Sequence, residues 1–301
     1  MPLFEGILTA AVTPSRDDRY EIDMGAALEV VDYLNDRKIR GIALFGATGE
    51  FPHFSVEDRI RFTSMAVKRS RVPVIVNVTH SAFEASEQMA EAAAAAGAAA
   101  VMAQPPHYFR YGPAEIREFF LDLVDEVDGQ APVYLYNLPA FNNPIPVEVA
   151  VELLVSGQFA GIKDSSGNPD YLSALLAARQ AASFNLIIGN DVLFTHGRLR
   201  GAHGVISGCA CAIPEAMLAL DAAILAGDTA RVEKLDRRLS EFIGQIDQFP
   251  GPNGIREALV TRGLKMGRRA IPFAPETERK ATQFREWFKG WLAVTIQEAK
   301  Q

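Results

Sequence analysis

Eight short apolar runs alternate with helical patterns from the start of this 301-residue chain to past residue 220. The runs cover residues 7–12, 41–45, 72–78, 98–103, 133–136, 159–163, 185–188 and 204–207. Short runs rich in apolar residues, bounded by turn signals, are typical of buried strands. Strands that alternate with helices pair in parallel through right-handed crossovers, because each helix must pack back onto the sheet.

The number of strand and helix units favours a closed barrel over an open sheet. An open sheet that binds a dinucleotide has a glycine-rich fingerprint after its first strand, whereas Thr13-Pro14-Ser15 stands there in this chain. The sequence therefore predicts the α/β class and a (β/α)8 TIM barrel over residues 1–227. Residues 228–301 predict a C-terminal helical extension that packs on the barrel, with helical patterns at 228–246, 254–264 and 276–298.

Capping residues predict where several barrel helices begin and end. Asp23 and Ser55 are short polar residues of the kind that cap helix N-termini. Pro113 is suited to the first turn of a helix. Gly97 follows an alanine-rich helical pattern and predicts its C-terminal end.

The formal net charge of −7 argues against nucleic acid and anionic membrane surfaces as main partners. The longest apolar run, residues 92–103, is interrupted by Gly97 and is too short to span a bilayer. Cys209 and Cys211 are separated by one residue, unlike redox or zinc motifs, and we interpret them as small buried hydrophobes. Because there is no disulfide framework and no basic leader segment at residues 1–5, we predict a cytoplasmic protein.

Polar residues gather where the predicted strands end, which is where the active site of such a barrel lies. The candidate segments are 46–50 (GATGE), 79–80, 104–108, 136–137, 163, 189–191 and 207–208. The five histidines show no spacing typical of metal ligands, so no metal is predicted. His53, His80 and His107 lie near strand ends and are candidates to contact a substrate.

Lys163 ends the sixth run, and a lysine is almost never buried without a reason. Burial disfavours the charged form of an amine, and a neutral lysine can attack a ketone to form a Schiff base. A surface lysine just beyond the strand is the alternative. Tyr136 ends the fifth run and is either a proton carrier or an interior tyrosine with a satisfied hydroxyl. The turn at 46–50 is either an anion-binding nest or a simple turn before a helix.

Four stretches in order resemble the dihydrodipicolinate synthase / N-acetylneuraminate lyase superfamily. They are GATGE at 46–50, YNLP at 136–139, GIKD at 161–164 and GVIS at 204–207. The resemblance covers the whole chain. It implies a (β/α)8 barrel, a Schiff base between a lysine and pyruvate with no other cofactor, a small oxo-acid substrate, and a homotetramer built as a dimer of dimers.

By this resemblance, Lys163 is the Schiff-base lysine and Tyr136 is the tyrosine that moves protons. Thr48 and the backbone of Ala47 match the site for the carboxylate of pyruvate. Tyr108 lies near the tyrosine that a neighbouring subunit donates in the synthases, and His107 competes for that place. The other predicted substrate-binding residues are Phe141, Gly189, Asp191, Ile206, whose backbone lines the carboxylate site, and Ser207.

Departures from the superfamily pattern bear on the substrate. The synthases have Thr-Thr in the glycine turn, where this chain has Ala47, and an arginine five residues after the tyrosine, where Phe141 stands. Phenylalanine cannot form a charge-assisted pair with a carboxylate, which disfavours dihydrodipicolinate synthesis. Sialic acid lyases have Asp-Glu after the seventh strand and Ser-Thr after the eighth. This chain has Asp191-Val192 and Gly208-Cys209 there, which disfavours sialic acid.

We therefore expect a class I, pyruvate-dependent lyase that acts on a 2-keto-3-deoxy sugar acid or a related 4-hydroxy-2-oxo acid. Its motifs are closest to those of the sugar-acid aldolases. The alternatives among enzymes are dihydrodipicolinate synthase (4-hydroxy-tetrahydrodipicolinate synthase) and a Schiff-base sugar-acid dehydratase. A non-catalytic barrel that senses oxo-acids is a different class. The presence of both Lys163 and Tyr136 weighs against it, since a binding protein needs neither.

Overall fold

The computed structural model describes residues 4–300 and contains a closed barrel of eight parallel strands. The strands are β1 (Gly6–Ala10), β2 (Gly41–Leu44), β3 (Val74–Asn77), β4 (Ala100–Ala103), β5 (Val133–Asn137), β6 (Gly161–Asp164), β7 (Asn185–Ile188) and β8 (Gly204–Ser207). Each strand pairs with the next along the chain, and β8 closes the barrel by pairing with β1. The predicted α/β class and (β/α)8 architecture are confirmed. The prediction that residues 1–5 form no basic leader segment falls partly on residues 1–3, which lie outside the described residues.

Helices connect the strands on the outside of the barrel. They are α1 (Met24–Asn35), α2 (Val56–Arg69), α3 (Phe83–Ala96), α4 (Pro113–Val127), α5 (Val147–Val155), α6 (Pro169–Ala178), α7 (Phe194–Leu199), α8 (Cys209–Ala212) and α9 (Pro214–Ala226). The predicted caps are confirmed. The Asp23 and Ser55 side chains each accept a hydrogen bond from a backbone N–H in the first turn, and Gly97 ends α3 with a φ of +86°. Helix α8 was not predicted, because its four residues are too few to show a helical period.

Some strands are shorter than their apolar runs predict. The first run extends to Val12, but β1 ends at Ala10. Ala11 and Val12 are only 3% and 2% exposed, so the chain remains buried beyond the end of the strand, and this burial explains the apolar residues there. The Ala11 N–H still donates to the Ala43 carbonyl at 2.9 Å. The apolar run therefore marks the buried residues, and only some of these residues pair in the strand.

The barrel interior is filled at the N-terminal ends of the strands. Tyr134 of β5 lies in the interior cluster, and its hydroxyl donates to Asn185 Oδ1 at 2.9 Å. Asn185 also exchanges hydrogen bonds with the backbone of Phe4. Gly161 leaves room for this arrangement, since a Cβ there would lie 2.7 Å from the Tyr134 ring. This leaves the C-terminal ends of the strands for the polar groups of the candidate site.

The C-terminal segment forms α10 (Thr229–Ile246), α11 (Asn253–Thr261) and α12 (Pro275–Ala299). Helices α10 and α12 pack on α9 of the barrel and on each other through stacked and tilted aromatic rings of Phe242, Phe288 and Trp291. The predicted helical extension is confirmed. The division of the chain into two units at residue 227 stays a prediction.

Cys209 and Cys211 are both buried and free of disulfide bonds, as predicted. Burial raises the pKa of the Cys211 thiol to about 12. Within the described part of the chain, none of the helices combines the length and the apolar character that crossing a bilayer requires. The cytoplasmic location stays a prediction.

Candidate active site

Lys163 lies on β6, near the C-terminal end of the strand, and its side chain is only 3% exposed. Tyr136 is its neighbour in register on β5, and the Lys163 Nζ lies 4.0 Å from the centroid of the Tyr136 ring. The surface lysine that the sequence left as an alternative is therefore excluded. The structure brings together the predicted amine nucleophile and the predicted proton carrier.

The next pair in register holds the ends of these two strands together. Asn137 Nδ2 donates to Asp164 Oδ1 at 2.8 Å, and Asn137 Oδ1 accepts from the Ile145 N–H at 3.1 Å. Burial raises the pKa of Asp164, and hydrogen bonds from Asn137 and Ser166 oppose that shift. Because each member of this pair follows Tyr136 or Lys163 directly, the pair restrains the backbone that carries both reactive groups.

The glycine turn at residues 46–50 lies against the lysine. A Cβ on Gly46 would lie 3.8 Å from Lys163 Nζ. Gly49 packs tightly on backbone, since a Cβ there would lie 3.0 Å from the Ala11 carbonyl oxygen. On the other side of the turn, Thr48 Oγ1 would lie 2.9 Å from a Cβ on Gly208, just past β8. The turn thus brings Gly46 close to the amine and Thr48 close to the end of β8.

The ends of β7 and β8 complete the surroundings of the lysine. A Cβ on Gly189 would lie 2.9 Å from Lys163 Cε, so only glycine leaves the lysine stem in place. Asp191 Oδ2 accepts from the Cys209 N–H at 3.3 Å. Burial raises the pKa of Asp191, whereas Ser207, Cys209 and the nearby Lys163 charge act in the opposite direction. Ser207 Oγ accepts from the Ala210 N–H at 2.8 Å and so stabilises the start of α8.

A cavity of about 800 Å³ opens beside the turn, and we call it the entrance cavity. Neither Lys163 nor Tyr136 belongs to its wall. Barrel loops form one side of it and the C-terminal extension forms the other. Leu138 of its wall belongs to the interior cluster that contains Tyr136 and Ile206, and Ala47 of its wall packs against that cluster. The wall is formed by residues 47–48, 50–53, 104, 107, 138, 141–142, 246–247, 249–253, 255 and 270–272.

The wall of the entrance cavity contains few charged side chains. Among residues 4–300, neither an arginine nor a lysine lines the entrance cavity. Its acidic members are Asp247 and Glu50, and Glu50 is paired with the buried Arg256. The remaining polar members carry hydroxyl, amide or imidazole side chains. Burial, together with the charges of His80 and Arg59, lowers the pKa of His107, which keeps that imidazole neutral at neutral pH.

The predicted binding residues do not all meet in one place. Ala47, Thr48 and Phe141 line the entrance cavity, and His107 does so as well. Gly189 and Asp191 lie near Lys163. Tyr108 is 89% exposed, has a φ of +82° and is absent from the cavity wall. Its contribution to a neighbouring subunit therefore stays a prediction.

Sequence reasoning missed several residues that build this end of the barrel. Asn142 Nδ2 donates to Gln104 Oε1 at 3.0 Å and ties the loop after β5 to the end of β4. Arg256 reaches the glycine turn from α11. Nothing in their local sequence marks them, because their partners lie far away along the chain. In the part of the chain that the structure describes, no group of three or more His, Cys, Asp or Glu residues is placed to hold a metal ion.

Comparison with known proteins gives matches that cover most of the chain. The model of the dihydrodipicolinate synthetase family matches residues 3–290. The 4-hydroxy-tetrahydrodipicolinate synthase of Methanosarcina barkeri is 31% identical over 278 residues, covering 92% of this chain and 94% of the relative. The enzyme of the same name from Staphylococcus carnosus is 34% identical over 269 residues, covering 87% and 88%.

Solved structures show the same fold. A prophage protein of the dihydrodipicolinic acid synthase family from E. coli K12, solved in complex with pyruvate, superposes with a TM-score of 0.88. It is 25% identical, with 96% of this chain and 99% of that chain covered. The sialic acid aldolase of Ruminococcus gnavus superposes with a TM-score of 0.87 at 23% identity, with 97% and 99% covered.

Proposed function

The chain belongs to the dihydrodipicolinate synthetase family and is a lyase, and from this premise we propose a class I, pyruvate-dependent aldolase that works through a Schiff base on Lys163. The observation that carries the proposal is the buried Lys163 amine, 4.0 Å from the centroid of the Tyr136 ring and adjacent to the glycine turn. The pyruvate bound to the E. coli relative supports it. The covalent imine makes a further cofactor unnecessary.

The proposed reaction is cleavage of a 4-hydroxy-2-oxo acid. The Lys163 amine attacks C2, and the Tyr136 phenol gives its proton to the departing hydroxyl, so that water leaves and an iminium forms. The resulting phenolate takes the proton of the C4 hydroxyl while the C3–C4 bond breaks and its electrons move to the iminium nitrogen. An aldehyde leaves, Tyr136 protonates C3 of the enamine, and water releases pyruvate. One water is lost and one is consumed.

Ala47, Thr48 and Ile206 would bind the carboxylate of the pyruvate half. Backbone N–H groups of a glycine turn and a hydroxyl are suited to an anion. In this proposal the turn holds the carboxylate while the adjacent Lys163 attacks the neighbouring carbonyl. Gly189, Asp191 and Ser207 contact the substrate from the β7 and β8 side.

The entrance cavity points to the chemical class of the aldehyde half. A second carboxylate desolvated there would meet no cationic partner among the described lining residues, a penalty of roughly several kcal/mol. Neutral groups such as Gln104, His107 and Asn142 suit hydroxyl groups, and Phe141 offers an apolar surface at the rim. We therefore assign a 2-keto-3-deoxy sugar acid, or a related 4-hydroxy-2-oxo acid whose aldehyde half is uncharged.

Two other reactions are the alternatives. The names of the relatives favour 4-hydroxy-tetrahydrodipicolinate synthase, in which the pyruvate enamine condenses with aspartate semialdehyde. A Schiff-base sugar-acid dehydratase would use the same lysine but leave the carbon chain intact. Membership of a lyase family weighs against a non-catalytic sensor.

Two measurements on the purified protein test the proposal. Borohydride with pyruvate should add a stable mass to the peptide that contains Lys163, and an adduct on another lysine would contradict the assignment. The kcat/KM values for cleavage of a panel of 2-keto-3-deoxy acids should then exceed the value for condensation of pyruvate with aspartate semialdehyde. If condensation is faster, Phe141 has been misinterpreted and the synthase reaction replaces the aldolase.

We further propose that the protein assembles as a homotetramer, a dimer of dimers. The loop after β4 exposes Tyr108 and Phe109, 89% and 65% exposed, with ring centroids 5.0 Å apart. Two large exposed rings on one loop suit a contact with a second copy of the chain. Light scattering during size-exclusion chromatography should give four times the monomer mass of 32.8 kDa, and the double variant Tyr108→Ser/Phe109→Ser should give a smaller species. A monomeric wild type would contradict this proposal.

A further inference from the structure

Arg256 of α11 is buried, at 2% exposed, and connects the C-terminal extension to the glycine turn. Its Nη1 donates to Glu50 Oε2 at 3.0 Å and to the Thr13 carbonyl at 3.2 Å. Its Nη2 donates to the carbonyls of Met266 and Arg268 at 2.6 and 3.0 Å. One guanidinium therefore joins the turn, the loop after β1 and the loop after α11.

Glu50, the last residue of the turn, is held in an unusual conformation. Its φ is +53°, in the left-handed region that costs a non-glycine residue roughly 1–2 kcal/mol. Its N–H donates to the Ala47 carbonyl at 3.0 Å. The carboxylate is 8% exposed and is paired with Arg256. The contact from α11 therefore holds the carboxylate of the residue that ends the turn.

The residue next to Arg256 contacts the same region. A Cβ on Gly208 would lie 2.9 Å from Ile255 Cδ1 and equally 2.9 Å from Thr48 Oγ1. Ile255 and Thr48 thus flank the same glycine just past β8. Helix α11 therefore reaches the turn itself through the ion pair with Glu50, and its Ile255 lies close to Gly208, which Thr48 of the turn also approaches.

Stability alone does not require charges at this point. A buried ion pair is often no more stable than a well-packed apolar pair of similar volume, because desolvation offsets the attraction. The pair instead fixes the orientation of the Glu50 carboxylate, because the planar guanidinium presents its N–H donors in a rigid geometry. The pair lies beside the residues proposed to bind a carboxylate.

We propose that Arg256 is a positioning residue that holds Glu50, and through it the turn, so that the Ala47 backbone and the Thr48 hydroxyl meet the keto-acid carboxylate. The inference rests on the proposed Schiff-base function. It adds a role for the C-terminal extension, which also packs on the barrel and contributes to the wall of the entrance cavity.

The test compares pyruvate with acetone, a ketone that lacks the carboxylate. Borohydride trapping on Lys163 is measured against ketone concentration for the wild type, Arg256→Met, Arg256→Lys and Glu50→Gln. We expect Arg256→Met to raise the half-saturating pyruvate concentration about tenfold or more, since a buried charge-assisted contact is lost. Trapping by acetone should change by less than about twofold, because no carboxylate is recognised. Arg71→Met, which breaks an exposed ion pair with Asp36, is the matched control and should behave as the wild type.

The outcomes separate this inference from the function on which it rests. Equal losses with pyruvate and acetone, or no loss with pyruvate, would overturn the positioning role and leave the Schiff-base function standing. A wild type that forms no adduct with pyruvate would overturn both. If Arg256→Met does not fold, Arg256→Lys decides, because it keeps the charge but loses the planar fork. It should show the same selective loss with pyruvate, and unchanged affinity would contradict the proposal.

Discussion

Tyr136 and Lys163 are neighbours because parallel strands align residues of adjacent strands at the same height in the barrel. Sequence could place both residues at strand ends, since each closes an apolar run. It could not give their separation, which depends on strand register. It also could not find Arg256, whose partner Glu50 is 206 residues away along the chain.

Tyr136→Phe tests the proton carrier at this scale. The variant keeps the ring beside Lys163 but loses the hydroxyl, so we expect kcat for aldol cleavage to fall by about a hundredfold or more. Steady-state kinetics on a 2-keto-3-deoxy acid measure the change. Tyr134→Phe is the control, because Tyr134 lies on the same strand face but its hydroxyl bonds Asn185 instead. Unchanged turnover in Tyr136→Phe would rule out the role.

At the scale of elements, all eight strands and the helices between them could be predicted, with the exception of α8. Periodicity and caps are local signals, and they are strong in this chain: Asp23, Ser55, Gly97 and Pro113 mark helix ends as predicted. Contacts that join elements carry no such signal. The bond between Asn142 and Gln104 joins two loops 38 residues apart, and neither residue differs in type from ordinary loop residues.

The junction of β7 and β8 predicts a dependence of stability on pH. The Leu186 N–H donates to His203 Nδ1 at 3.0 Å. Burial, followed by the charge of Arg179, lowers the pKa of His203 below its usual value of about 6.5. The unfolded chain then binds a proton more readily than the folded one. Stability is therefore complete above about pH 6.5 and is lost as the pH falls from there through the folded-state pKa.

Urea unfolding of the wild type and His203→Gln from pH 7.5 to 5 measures this effect. On acidification the free energy of unfolding should fall more steeply for the wild type than for the variant. The reason is that the wild type takes up as much as about one additional proton, on His203, when it unfolds. His107, whose pKa is also lowered by burial, should leave some pH dependence in the variant. His196→Gln, at an exposed position, should keep the wild-type slope. Identical slopes for the wild type and His203→Gln would contradict the assignment.

At the scale of the whole molecule, the residues that stabilise the barrel and the residues proposed to react lie at opposite ends of the barrel axis. The N-terminal ends of the strands are closed by Phe4, Tyr134 and Asn185, which share buried hydrogen bonds. The C-terminal ends carry Lys163, the glycine turn and the entrance cavity. This division is general for such barrels, and it predicts that a substitution at the closed end alters the free energy of unfolding while leaving turnover intact.

Asn185→Ala tests that separation. The substitution leaves the buried Tyr134 hydroxyl and both backbone groups of Phe4 without their partner, so we expect a loss of about 2–4 kcal/mol in the free energy of unfolding. Tyr134→Phe, which breaks only one of these bonds, should cost about 1 kcal/mol. Chemical denaturation measures both losses. The kcat for aldol cleavage at a temperature where Asn185→Ala is fully folded should match that of the wild type, because Asn185 is not among the residues that line the entrance cavity. A fall in kcat at full folding would show that the closed end of the barrel influences the position of Lys163, and the separation along the axis would then be wrong.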